Sequence, residues 1–139
     1  MNEYRWADLG PGLGAEFSAA ITPAMMTAFA DMSGDLNPLH IMDGFAAERG
    51  FQGRVVYGLL TSALYSRLVG MHLPGKWGVL HGIDVEFKAP AYVGDLLTVS
   101  GTVQFLNEAY RRIEIKARIV NQSGAVISKA NIRAGLHDA

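Results

Sequence analysis

The chain has 139 residues, half of them hydrophobic and 18% charged, with a formal net charge of −1. This length predicts one domain spanning residues 1–139, and the hydrophobic content argues against a disordered chain. The nearly balanced charge, without basic runs, argues against nucleic-acid binding. Cysteine is absent, which excludes disulfides, thiolate metal sites and a cysteine nucleophile.

The N-terminal segment "MNEYRWADLGPGLG" lacks the apolar core of a signal peptide. No apolar stretch reaches the roughly 18 residues that span a bilayer. We therefore expect a cytoplasmic protein without a membrane partner.

The first half of the chain predicts one strand and two helices. A short strand near Ala15–Ile21 follows a glycine-rich loop. In "TPAMMTAFADMSG", Thr22 is a suitable N-cap before a proline, and Gly34 is a suitable helix end. The segment "DGFAAERG" predicts a second, short helix that Asp43 caps and Gly50 ends.

The segment Tyr57–Leu73, "YGLLTSALYSRLVGMHL", predicts a helix that is apolar nearly all round. Such a helix is usually buried in the middle of a fold. The small residues Gly58, Ser62, Ser66 and Gly70 recur every four positions and therefore share one face. This face either packs against a neighbouring backbone or lets a ligand approach closely.

The second half changes to a period of two. Alternating apolar and polar residues in "IDVEFK", "LTVSGTVQF", "RIEIKARIV" and "GAVISKANIRAGL" predict four half-buried antiparallel strands. The segment Asn121–Gly124, "NQSG", predicts a hairpin turn. Together these elements predict an α+β fold in which an antiparallel sheet wraps around Tyr57–Leu73.

The segment "FADMSGDLNPLH" carries the candidate chemistry. Pro38 favours an extended Asn37, so we expect Asp35 and His40 to lie on a constrained, non-helical segment. A carboxylate and an imidazole held in this way can bind one water and exchange protons near neutral pH. This chemistry suits the addition of water to a polarised double bond, or its removal.

Two other interpretations of this motif are open. Asp, Asn and Pro after a helix are common turn residues, and an Asx-turn explains them without function. The second interpretation is a metal site in which Asp43 is a third ligand beside Asp35 and His40. Because the motif supplies too few convergent ligands, we predict that no metal is needed. The remaining histidines are expected outside the site: His72 and His137 at the surface, and His81 packed or exposed in a strand.

The motif "SGDLNPLH" resembles the hydratase signature of the MaoC-like dehydratase family, the (R)-specific enoyl-CoA hydratases. The segments "VVYGLLTSALYSRLVGMHLPGKWGVL" and "FKAPAYVGDLLTVSGTV" resemble the central helix and the following strand–turn–strand of that family. The resemblance covers roughly Ala15 to Val120. It implies a hot-dog fold and a homodimer whose sheets join, with active sites at the subunit interface.

The resemblance also implies an activity without a cofactor: hydration of trans-2-enoyl thioesters of CoA or acyl carrier protein to 3-hydroxyacyl thioesters, or the reverse dehydration. Asp35 and His40 match the catalytic pair of the family. Gly58 matches the glycine whose backbone N–H binds the thioester oxygen, a role that suits a helix N-terminus. Ser66 matches a serine near the catalytic carboxylate, and Asn37 matches a structural asparagine.

One position departs from the family. Many members have histidine before the oxygen-binding glycine, whereas this chain has Tyr57. Because the oxygen-binding group belongs to the backbone of Gly58, activity need not be lost, but we expect Tyr57 to reshape the pocket. We further expect the acyl tail to leave along Ser62 and Ser66, which would set the acyl size.

Other functions remain open on the sequence. One is a dehydratase for a different acyl group, as in polyketide, polyester or surface-sugar pathways. A thioesterase is another hot-dog class, although this acidic and histidine motif is not its usual arrangement. The last is an acyl-thioester-binding domain without turnover. The intact pair of Asp35 and His40 argues against this alternative.

Overall fold

The computed structural model describes residues 1–138. Its helices and strands are, in chain order, β1 (Gly14–Ala20), α1 (Pro23–Ser33), α2 (Pro38–Ile41), α3 (Asp43–Glu48), α4 (Gly58–Arg67), β2 (Gly78–Phe87), β3 (Leu96–Asn107), β4 (Arg112–Val120) and β5 (Val126–Leu136). A 3₁₀ turn at Trp6–Asp8 precedes β1, and a π-helical turn at Leu68–His72 continues α4.

The five strands form one antiparallel sheet in the order β1-β3-β4-β5-β2. Along β4 the apolar residues are buried and the charged residues between them are exposed. The paired Ile115 and Ile132 of β4 and β5 face the same core. The predicted alternation is confirmed along β4 and the first part of β3, because one face of the sheet is covered and the other meets water. In β2 no residue is buried, and Phe87 and Phe105, both predicted on the inner face, are exposed.

Helix α4 and its π-helical continuation lie on the inner face of the sheet. Tyr65 and Leu68 are both 0% exposed and belong to the same apolar core as the inner residues of β3, β4 and β5. Gly101 in β3 allows this contact, because a Cβ there would lie 2.7 Å from Leu68 Cδ2. The predicted α+β fold, a sheet wrapped around a central helix, is confirmed.

The central helix differs from its prediction in two respects. It is α-helical only over Gly58–Arg67, and the remainder, Leu68–His72, is π-helical. It is also not buried on all sides, since Leu59 is 69% exposed and Ser66 is exposed. The physical reason is that a single sheet covers one side of the helix and leaves the other open.

The first helices partly follow their predicted caps. The side chain of Thr22 accepts the Met25 N–H, and α1 ends at Gly34 with a left-handed backbone, as predicted. Asp43, however, is the first residue of α3 and does not cap it. Its Oδ1 instead accepts the Arg54 N–H at 2.8 Å, because the loop before α4 folds back onto α3.

Two further expectations need correction. His40 lies on the one-turn helix α2, not on a non-helical segment, because the side chain of Asn37 accepts the Leu39 N–H and caps a turn that Pro38 begins. His72 is half-buried and stacks on Phe17 with 4.9 Å between ring centroids, because the π-helical turn packs against β1. His81 and His137 are exposed.

Candidate active site

The turn before α2 is built from two successive side-chain-to-backbone hydrogen bonds. Asp35 Oδ1 accepts the Asn37 N–H at 3.0 Å, and Asn37 Oδ1 accepts the Leu39 N–H at 2.9 Å. Both are Asx-type contacts. For Asp35 Oδ1 and Asn37 Oδ1, the interpretation of this motif as a turn is therefore correct. Within the described chain, Asp35 Oδ2 has no hydrogen-bond partner, which leaves it available to a ligand or a water.

A single hydrogen bond fixes the tautomer of His40. Its Nδ1 lies 2.7 Å from the carbonyl oxygen of Val55, at the end of the loop before α4. A carbonyl oxygen only accepts, so Nδ1 carries the hydrogen and donates it. The neutral imidazole therefore presents its unprotonated Nε2, the form that accepts a proton from water.

Tyr57 lies between α1 and α2. Its phenol donates a hydrogen bond of 2.7 Å to the carbonyl oxygen of Asp35, and its ring stacks on His40 with centroids 4.1 Å apart. Burial, together with the neighbouring Asp35 carboxylate, raises the pKa of Tyr57 above its usual 10.0. The phenol is therefore protonated at neutral pH and serves as a hydrogen-bond donor.

The N-terminus of α4 supplies free backbone donors. Among residues 1–138, no acceptor contacts the N–H groups of Gly58 and Leu59, and the first N–H bonds of the helix are those of Leu60 and Thr61 to the Tyr57 carbonyl. Such groups carry partial positive charge and bind anionic or polarised oxygens.

A cavity of about 540 Å³ joins these groups, a size typical of small-molecule sites. Asp35, His40, Tyr57 and Gly58 all line it. Most of the remaining wall is apolar: Phe29, Phe51, Val55, Val56, Leu59, Phe87, Ala89, Pro90, Ala91 and Ile127. A few polar groups in an apolar cavity orient a ligand, while the apolar wall binds its hydrocarbon part.

Ser62 and Ser66 do not line this cavity. The cavity of the single chain therefore does not follow the predicted face, because Leu59 and Thr61 turn towards it instead. Ser66 is exposed, whereas Ser62 Oγ is buried without a hydrogen-bond partner in the described chain. Their roles beside an acyl tail stay a prediction.

Among the cavity residues that were not assigned from the sequence, Thr61 and Phe87 lie against the start of α4. Thr61 is buried, and its hydroxyl donates to the Gly58 carbonyl at 2.6 Å. Phe87, at the end of β2, lies over the start of α4, where a Cβ on Gly58 would be 2.9 Å from its ring. The alternation in "IDVEFK" placed Phe87 on the apolar face of a strand, but its contact with Gly58 joins two elements distant in sequence.

Metal ligands do not converge at this site. Within residues 1–138, no group of three or more His, Asp or Glu side chains is arranged to hold an ion. The alternative with Asp43 as third ligand is not supported, since Asp43 is engaged with the Arg54 backbone. No helix in the same range is long and apolar enough to cross a membrane.

The fold and the cavity together define a class of protein. A sheet wrapped around a central helix is the hot-dog fold, and its cavity here combines a carboxylate, a free imidazole nitrogen and helix N-terminal N–H groups. These groups can polarise a carbonyl oxygen and move protons beside it, which is the chemistry of hydro-lyases acting on acyl compounds.

The sequence profile of the MaoC-like domain matches residues 7–124, and the chain belongs to this family. It is 38% identical to an (R)-specific enoyl-CoA hydratase of Aeromonas caviae over 115 residues, 83% of this chain and 86% of that protein. It is 34% identical to a 3-hydroxybutyryl-CoA dehydratase of Methylorubrum extorquens, over 78% of this chain and 69% of that protein.

A solved structure agrees with this assignment. The (R)-hydratase from A. caviae superimposes with a TM-score of 0.88 at 36% sequence identity, covering 93% of this chain and 98% of that one. The predicted family and its hot-dog fold are therefore confirmed.

Proposed function

We propose that this protein catalyses the (R)-specific hydration of trans-2-enoyl thioesters to 3-hydroxyacyl thioesters, or the reverse dehydration, in one catalytic domain. The observation that carries the proposal is the shared cavity, which is lined by His40, with Nδ1 bound to Val55 and Nε2 unprotonated, by Asp35 and by the N-terminus of α4. The names of the A. caviae and M. extorquens relatives support the same reaction class.

The thioester oxygen accepts the Gly58 N–H in this mechanism. That bond draws electrons from the conjugated double bond and stabilises the enolate-like transition state, a type of contact worth about 10²–10³ in rate. Water bonds to C3 through its oxygen, and a proton is added at C2. Asp35 and His40 act as one coupled pair, which takes the proton from water and supplies the one to C2.

We also propose a homodimer that completes this site. Strand β2 forms one edge of the sheet and exposes Val79, Leu80 and Phe87. A long edge strand with exposed apolar side chains is a liability unless another chain covers it. Phe87 is 52% exposed, and Leu59 is open as well, although both line the cavity. A partner seated on β2 closes this side.

Two alternatives differ in substrate or in turnover. A dehydratase for another acyl group uses the same residues and differs only in the fit of the acyl tail. A binding domain without turnover needs the cavity but no proton transfer. Among residues 1–138, neither Nε2 of His40 nor Oδ2 of Asp35 has a hydrogen-bond partner, which favours an enzyme.

Hydration of crotonyl-CoA, followed by the loss of enoyl absorbance, tests the proposal. We expect turnover to a product of R configuration at C3. Asp35→Asn and His40→Ala should each lower the rate by at least about a hundredfold, the scale of lost acid–base catalysis. Asp31 is an exposed carboxylate on α1. The variant Asp31→Asn is therefore the matched control and should remain fully active.

Two results would contradict the proposal. One is a folded Asp35→Asn or His40→Ala variant with nearly full activity, which excludes the assigned mechanism. The other is tight binding of enoyl thioesters without any turnover, which identifies a binding domain.

A further inference from the structure

Tyr57 contacts both members of the Asp35 and His40 pair. Its phenol donates to the Asp35 carbonyl, and its ring stacks on His40 at an interplanar angle of 28°. Phe29 of α1 also packs on this ring, with centroids 4.6 Å apart. Tyr57 is only 2% exposed, so these contacts fix its position in the fold.

The contacts of Tyr57 reach all three parts of the site. The hydrogen bond fixes the peptide of Asp35, from which the carboxylate extends. The stack restrains the His40 ring in addition to its Nδ1 bond to Val55. The backbone of Tyr57 continues directly into Gly58, the first residue of α4. A displacement of Tyr57 would therefore move the carboxylate, the imidazole and the N–H donor relative to one another.

We propose that Tyr57 is a positioning residue that holds Asp35 and His40 in the correct geometry relative to the Gly58 N–H. This inference rests on the proposed hydratase function. The phenol itself transfers no proton in the reaction, because its hydrogen is bonded to a carbonyl oxygen. Its effect on rate is geometric, and displacements of about 1 Å in an active site can cost about a hundredfold.

Tyr65 provides a matched control. It lies two turns further along α4, is 0% exposed, and its hydroxyl forms one hydrogen bond of 2.7 Å, to Ser128 Oγ. It does not line the cavity. The substitutions Tyr57→Phe and Tyr65→Phe thus each delete one hydrogen bond of a buried tyrosine, and only the first deletes a bond to the catalytic segment.

Steady-state kinetics with crotonyl-CoA test the inference. We expect Tyr57→Phe to lower kcat about tenfold with KM changed less than about twofold, because the lost constraint matters in the transition state. Tyr65→Phe should retain the kcat of the unaltered enzyme, although both variants unfold at lower temperature. Tyr57→Leu, which also removes the stack, should lower kcat about a hundredfold.

Amide hydrogen exchange gives a readout that does not depend on turnover. The N–H groups of Asn37 and Leu39 donate to the side chains of the catalytic turn. We expect them to exchange faster in Tyr57→Phe than in Tyr65→Phe or in the unaltered protein, because the turn loses its bond to the phenol.

Each outcome decides the inference. Unchanged kcat in Tyr57→Phe, or an equal loss of kcat in Tyr57→Phe and Tyr65→Phe, overturns it. An unaltered protein without any hydratase turnover contradicts the proposed function instead. In that case the exchange measurement still decides: faster exchange only in Tyr57→Phe supports the positioning of the turn, and unchanged exchange overturns it.

Discussion

At the scale of single residues, the candidate site is organised by backbone groups. The Val55 carbonyl orients His40, the Asn37 N–H holds one oxygen of Asp35, and the open end of α4 exposes the Gly58 N–H. Backbone atoms have fewer degrees of freedom than long side chains, so groups held by them keep their geometry at low entropic cost.

Gly58 has a second constraint at this scale, imposed by Phe87. A Cβ at Gly58 would lie 2.9 Å from the Phe87 ring, a distance at which one of the two must shift. We expect Gly58→Ala to lower kcat by about 10², because the start of α4 and its N–H donor move relative to the substrate oxygen. Crotonyl-CoA hydration measures this effect.

Gly70 is the matched control for this substitution. It lies on the same predicted face, and a Cβ there meets nothing within 4 Å, so Gly70→Ala should retain full activity. The double variant Gly58→Ala/Phe87→Leu should recover part of the lost rate. Equal activity of Gly58→Ala and Gly70→Ala would exclude the steric argument.

At the scale of elements, the π-helical turn Leu68–His72 joins the central helix to the edge of the sheet at β1. His72 stacks on Phe17, and the guanidinium of Arg67 lies 4.3 Å from the centroid of the same ring. Burial, followed by the nearby charges of Arg67 and the N-terminal amine, lowers the pKa of His72 below its ordinary 6.5. This junction therefore favours the neutral imidazole.

The lowered pKa of His72 predicts a pH-dependent stability. As the pH falls below about 6.5, the unfolded chain binds the His72 proton before the folded chain does, so the free energy of unfolding decreases. Above that pH both states are neutral, and the contribution is constant. Urea unfolding at a series of pH values between about 8 and 5 measures this loss.

The variant His72→Gln isolates this contribution from other titrations. We expect its stability to fall less steeply with acid than that of the unaltered protein, whereas His137→Gln, at an exposed position, should leave the slope unchanged. Identical slopes for all three proteins would show that His72 is not a source of acid lability.

At the scale of the whole molecule, the exposed edge β2 is the feature that predicts assembly. We expect a stable dimer at micromolar concentration, and we expect Leu80→Lys to yield monomers, because a charged side chain on this edge opposes close pairing with a second copy. Light scattering measures the mass. Activity should fall at least about tenfold in the monomer, since the cavity loses the partner that closes it.

Gln104→Lys adds the same charge at an exposed position of β3, away from the β2 edge, and should leave the dimer intact. An unaltered protein that scatters only as a monomer, yet is fully active, would refute both the dimer and the shared site.

The proposed reaction of the whole enzyme uses no metal. We expect prolonged dialysis against a chelator to leave kcat with crotonyl-CoA unchanged, because proton transfer and backbone donors carry the reaction. The same dialysis without chelator is the control. Activity lost with the chelator and restored by zinc would show that this prediction is wrong.

The sequence by itself determined the location of the motif and the type of most elements, with the one-turn helix α2 and the π-helical turn as the exceptions. Alternation with a period of two predicted the inner face of the sheet, and Thr22 and Gly34 marked the two ends of α1, because these signals lie within a few residues of one another. The motif resemblance pointed to Asp35, His40 and Gly58, which all line one cavity in the fold.

Only the tertiary structure decided how these residues are held. The Val55 bond to His40, the Tyr57 bond to Asp35 and the Phe87 ring over Gly58 join positions 15 to 29 residues apart along the chain. Such contacts depend on how packed elements meet, and no local periodicity encodes that geometry. For the same reason the sequence did not predict that the cavity is lined by Thr61 and not by Ser62 and Ser66. It also did not predict that one side of the central helix is exposed.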